Sequence, residues 1–104
     1  MGIEHFRGVY MRDRLPSKCL NKECGILNLD SSINPGSHWT AYYRTSKNNN
    51  FYFDSLGNLA PPKELIQYLN CENVQYNTIT YQSPSQTSCG YWCLLWLKYI
   101  TNNS

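Results

Sequence analysis

No apolar run in this chain approaches the roughly 20 residues needed to cross a bilayer. The opening MGIEHFRGVY has neither the charged head nor the apolar middle of a signal peptide. A soluble protein that is not exported is the expectation. Charge is scarce as well: nine basic against seven acidic residues leave a formal net charge of +2, too mild to argue for nucleic acid by itself. Five of the nine basic residues, Arg7, Arg12, Arg14, Lys18 and Lys22, fall in the first 22 positions. That basic edge reads as an ordinary solvated face before it reads as a contact for DNA or an acidic partner. Histidine is limited to His5 and His38. Neither lies near the cysteine pairs Cys19/Cys24 or Cys89/Cys93, so zinc is not expected. Cysteines number five, an odd count without an export signal, which argues against a disulfide framework and leaves at least one thiol free. Repeats are absent, and the only low-complexity tract is the triplet NNN at Asn48 to Asn50.

Aromatic residues are plentiful: nine Tyr, three Trp and three Phe in 104 residues. That composition excludes disorder and suits one compact domain with a single site. HWTAYYRT (His38 to Thr45) and FYFD (Phe51 to Asp54) read as the two strands of an antiparallel hairpin with NNN as its loop. Alternation in the first strand sets Trp39, Ala41 and Tyr43 against His38, Thr40 and Tyr42. CGILNLD (Cys24 to Asp30) reads as a further strand, closed by the turn-forming SSINPGS, and VQYNTITY (Val74 to Tyr81) as another. LAPPKELIQYL (Leu59 to Leu69) carries prolines suited to a first helical turn, then Leu65, Ile66 and Leu69 at helical spacing. In the closing segment Trp92, Leu95, Trp96 and Tyr99 recur at i, i+3, i+4 and i+7, the stripe of a helix laid on a core. The architecture is α+β: a mixed or antiparallel sheet packed against a helix.

QSPSQTSCGYWCLLWLKYI (Gln82 to Ile100) puts Cys89 where a polar loop gives way to that last helix. Unpaired N–H groups and the dipole at a helix N-terminus favour the thiolate. Gly90 leaves the backbone beside it unobstructed, whereas Cys93, one turn on, reads as a small buried apolar side chain. A thiol nucleophile needs a base. His5 lies in a polar segment without an assigned element; His38 begins an aromatic strand after a Pro-Gly turn, where a rigid scaffold can aim an imidazole. Asp54 ends the partner strand, so the hairpin brings it to His38 as a candidate orienting acceptor. Attack on a carbonyl also needs donors for the developing oxyanion. The Cys89 N–H is one candidate, and a side-chain amide from Gln82 or Gln86 is another. Gln82 ends a strand and is the better held.

The order His, Asp, Gln, Cys and its local words resemble the adenain-type cysteine proteases of adenoviruses and, more distantly, the ubiquitin-like-protein proteases of the same superfamily. The matching phrases are FRGVYMRDRLP (Phe6 to Pro16), ECGILNLD (Glu23 to Asp30), HWTAYY (His38 to Tyr43), YFDSLG (Tyr52 to Gly57) and QSPSQTSCGYWCLLWL (Gln82 to Leu97). The resemblance implies a papain-like core and makes Cys89 the nucleophile, His38 the general base and acid, Asp54 the orienter and Gln82 the oxyanion donor. It sets Trp39 and Gly90 along the substrate channel. Adenovirus enzymes usually have Glu where this chain has Asp54, and they carry long additional segments after the cysteine helix. The resemblance thus implies that residues 1–104 form a single minimal domain of that type.

The resemblance further implies an endopeptidase cutting capsid or core precursors at Gly-containing sites, inside the host cell or the virion, with protein substrates and no membrane partner. No metal is required. Adenovirus proteases are activated by a peptide cofactor that can be tethered through a disulfide, a role the resemblance would give here to Cys71, which reads equally as a half-buried structural thiol after a helix; DNA is a second candidate activator. Two rivals stand beside this reading. A ubiquitin-like-protein isopeptidase shares the site chemistry and would react with ubiquitin-like probes. A protein-binding module on the same fold would leave Cys89 unlabelled by electrophilic peptides.

Overall fold

The structure, a computed structural model, describes residues 3, 5–29, 38–54, 60–71, 74–76 and 89–102, with the backbone alone at 89–91. Five strands, β1 (Phe6–Met11), β2 (Glu23–Asn28), β3 (Trp39–Ser46), β4 (Asn49–Phe53) and β5 (Gln75–Tyr76), and two helices, α1 (Lys63–Leu69) and α2 (Cys89–Asn102), follow one another with α1 between β4 and β5. The sheet has the order β1-β2-β3-β4-β5. Its outer pairs, β1 with β2 and β4 with β5, are parallel, and its inner pairs are antiparallel. The fold is α+β with a mixed sheet. No described helix is long and apolar enough to cross a membrane.

All six residues of β2 are buried, because a helix covers each face of the sheet. Cys24, Ile26, Ala41, Tyr43 and Phe53 form one core with Cys93 and Leu97 of α2. Leu27, Tyr42 and Tyr52 form the other with Leu65 and Leu69 of α1. The alternation in β3 is therefore real: Ala41 and Tyr43 face α2, and Tyr42 faces α1. Asn70 closes α1 in the left-handed region (φ 51°, ψ 52°), donating its N–H to Ile66 and Gln67 carbonyls, a conformation Asn tolerates better than most residues.

Three expectations need correction, and one strand is new. Asn49 and Asn50 belong to β4, paired with Ser46 and Arg44, so the hairpin turn is Lys47–Asn48 alone. Their side chains do the work expected of a loop: Asn50 Nδ2 donates to the Lys47 carbonyl at 3.0 Å and Asn49 Nδ2 to Thr45 Oγ1 at 2.5 Å. The prolines lie ahead of the first helical turn, with Pro62 as the N-cap in extended conformation; its carbonyl accepts from Leu65 and Ile66 N–H. The core stripe of α2 is also rotated from the expected one. Cys93 and Leu97 are fully buried, while Leu95 and Tyr99 are 41% and 70% exposed. Side-chain size decides this: a cysteine lets the helix approach β3 closely, and the bulkier Trp96 lies beside it, stacked on Phe53 with centroids 5.3 Å apart. Finally, β1 was not anticipated. A register shift between Phe6 and Gly8, with Gly8 at φ 153°, breaks the alternation that would have announced a strand.

At the far end of β2 from the hairpin's open end, the Glu23 carboxylate is fully buried. It accepts from Tyr42 hydroxyl at 2.6 Å, Tyr68 hydroxyl at 2.7 Å, Leu20 N–H at 2.7 Å and Arg7 at 3.0 Å. One buried charge thereby joins β1, β2, β3, α1 and the segment before β2. Burial alone would raise its pKa, but the hydrogen bonds from Tyr42, Tyr68, Leu20 and Arg7 together hold it below the usual carboxylate value.

Candidate active site

His38 stands immediately before β3, and its carbonyl accepts from Leu29 N–H at 3.1 Å, which ties the entry of β3 to the exit of β2. Asp54 stands immediately after β4. Because Ala41 pairs with Phe53, the antiparallel register brings these two ends of the hairpin together. His38 Nε2 lies 2.8 Å from Asp54 Oδ1. The carboxylate is 1% exposed and the imidazole side chain 24% exposed, so the acceptor is dry while the ring reaches the surface. A ring N–H donated from Nε2 to the carboxylate puts the neutral imidazole's lone pair on Nδ1. That atom is then the one equipped to take a proton.

Cys89 is the first residue of α2, and Gly90 lies in its opening turn. The helix packs on the face of β3 that carries Ala41 and Tyr43. Cys93, one turn beyond Cys89, has its Sγ 3.3 Å from the Trp39 carbonyl oxygen. Trp39 is half-buried against this α2 core. An apolar groove of about 360 Å³ follows the same seam, from Phe53 and Trp92 to Ile100. Gln82 and Gln86, both candidates for the oxyanion donor, lie outside the described residues, as does the expected continuation of β5 through residues 77–81. Cys71 is half-buried just beyond α1, on the opposite face of the sheet from α2.

Among the described residues, Cys19, Cys24, Cys71 and Cys93 are in the thiol form, outside any disulfide. Burial, reinforced by the Glu23 charge, pushes Cys19 and Cys24 up to about 11. Burial also raises Cys71, against the opposing pull of Arg44. Such thiols stay protonated and sluggish at neutral pH. No cluster of three or more His, Cys, Asp or Glu suited to a metal occurs among the described residues. Cys93 is fully buried in the α2 core, as expected of a small apolar side chain, and its thiol in addition bonds the Trp39 carbonyl.

No protein-family model matches the chain, and no curated protein matches it significantly. Solved structures do. A selenomethionine crystal structure of the ASFV pS273R protease superposes with a TM-score of 0.57 at 26% identity, over 81% of this chain and 36% of that one. A second crystal structure of that protease gives a TM-score of 0.52 at 23% identity, over 81% and 34%. The chain has a protease fold. It spans about a third of the length of those structures.

Proposed function

We propose that the protein is a cysteine endopeptidase of the adenain type, acting on viral or virus-like capsid or core precursors at Gly-containing sites. The observation that carries this reading is the 2.8 Å contact between His38 and a buried Asp54, at the end of a sheet packed by a helix that begins with Cys89. The similarity to a viral protease in fold, at low identity, supports it. In the proposed reaction His38 takes the Cys89 proton, and the thiolate attacks the scissile carbonyl to form a C–S bond. The Cys89 N–H and the Gln82 amide stabilise the oxyanion. Collapse breaks the C–N bond while His38 protonates the leaving amine. Water, deprotonated by His38, then hydrolyses the thioester. Asp54 holds the imidazole tautomer throughout.

Trp39 and Gly90 border the proposed channel for the substrate backbone. A Cys-containing peptide tethered through Cys71 is the proposed activator, and DNA a second one; persistent activation by such a peptide that is lost in Cys71→Ser is the expected result. Incubation with a peptide library, read by fragment mass, tests the whole. Cleavage beside Gly and stoichiometric labelling of Cys89 by an electrophilic peptide are expected. A protein that neither cuts nor labels is not a protease. Reaction with ubiquitin-like probes, in preference to free peptides, would instead favour the isopeptidase.

A further inference from the structure

We infer that Cys93 is a positioning residue that sets the separation between the nucleophile helix and the base. The inference rests on the protease reading above and deepens it. The fully buried Cys93 donates its thiol proton to the Trp39 carbonyl at 3.3 Å, across 54 positions of sequence. One partner stands a single turn beyond Cys89 and the other is the residue next to His38. The apolar packing and ring stacking between α2 and the sheet tolerate sliding. A directional contact does not. A thiol also suits the place by size, since a larger side chain would lift α2 from β3 and a smaller one would leave a void beneath it. The groups that titrate at this end of the sheet, among the described residues, are His38, Asp54 and Tyr52; Cys24 lies further along the same core.

Reacting groups are sensitive to such offsets: a misplacement of about 1 Å costs on the order of a hundredfold in rate. The test compares the parent, Cys93→Ser, Cys93→Ala and Cys93→Val by the rate of Cys89 alkylation with iodoacetamide at mildly acidic pH, read by peptide mass. Thermal unfolding is measured alongside. Cys93→Ala removes the donor and leaves a void, Cys93→Val removes the donor and adds bulk, and Cys93→Ser keeps a donor. Leu97→Ala, in the same core one turn further on, is the control for stability alone. The expected result is a rate at least ~10-fold lower in the Ala and Val proteins, largely restored in Ser, and close to the parent in Leu97→Ala despite its lower melting temperature. A parent rate in both the Ala and Val proteins, or a Ser protein no better than Ala, overturns the positioning role and leaves the protease reading standing. A parent whose Cys89 reacts no faster than in His38→Ala overturns the protease reading, and this inference with it.

Discussion

Replacing Tyr68 by Phe removes one hydroxyl from the Glu23 site and nothing else from the α1 core. That hydroxyl donates to Glu23 Oε2 at 2.7 Å and accepts from Arg7 at 2.8 Å. A hydrogen bond to a charged group contributes about 1.5–3 kcal/mol, so a loss near 2 kcal/mol is expected at neutral pH, where Glu23 keeps Tyr42, Leu20 and Arg7. For a domain of this size each kcal/mol moves the melting temperature by about 4–8 °C. Far-UV circular dichroism should therefore find Tyr68→Phe melting roughly 8–16 °C below the parent. The pH dependence has a definite sign. Glu23 has its folded pKa lowered, so its stabilisation is complete above the value near 4.3 at which an unfolded glutamate titrates, and declines as pH falls through the folded value. The gap between parent and variant should narrow as the pH is lowered through the folded value of Glu23. A variant within about 2 °C of the parent at neutral pH, or a gap that widens in acid, would refute the account of this site.

Truncating Leu97, fully buried between α2 and the sheet, to Ala should cost about 2–5 kcal/mol in urea unfolding; a cost under about 1 kcal/mol would mean that α2 contributes little to the core. Ala at Gly25 would place a Cβ 2.8 Å from the Tyr42 ring and 2.9 Å from the Gly8 carbonyl oxygen. Denaturation should register a loss of about 1–3 kcal/mol from overpacking, and an unchanged midpoint would contradict that geometry. Asp54→Ala should lower turnover of a cleaved peptide by roughly 10⁴-fold, and Asp54→Asn by less if an amide oxygen accepting from Nε2 is enough; equal losses would make the carboxylate charge the property that matters. Gln82→Ala should lose about a hundredfold or more in turnover with Cys89 still readily alkylated, while Gln86→Ala stays near the parent. The reverse ranking would reassign the oxyanion donor.

Strands with unbroken alternation were legible from sequence. HWTAYYRT and FYFD declare a hairpin, and the hairpin alone implies that His38 and Asp54 share an end, as their 2.8 Å contact records. Periodicity was less informative wherever side-chain size or side-chain hydrogen bonding decides the outcome. In α2, residues 92, 95, 96 and 99 and residues 93, 97 and 100 are equally helical stripes; only the close approach to β3 selects the second. At the hairpin tip, asparagines that favour loops remain in the ladder because their amides bond across the turn. A parallel edge strand such as β1 has its partner 11 residues away with no helix between, and neither local pattern nor turn chemistry announces that pairing. The candidate oxyanion glutamines rest on spacing alone.

Strand order in the sheet repeats strand order in the chain, so during synthesis each new strand meets a neighbour that has already emerged. No strand must wait for a distant one, which keeps the entropy of loop closure small at every step. One face is the exception. The apolar surface of Ile26, Ala41, Tyr43 and Phe53 stays wet until α2, which follows all five strands, is made. On the ribosome, the helix that completes this hydrophobic face is also the one that opens with Cys89, so a nascent chain would acquire its proposed thiol only at the step that seals its core.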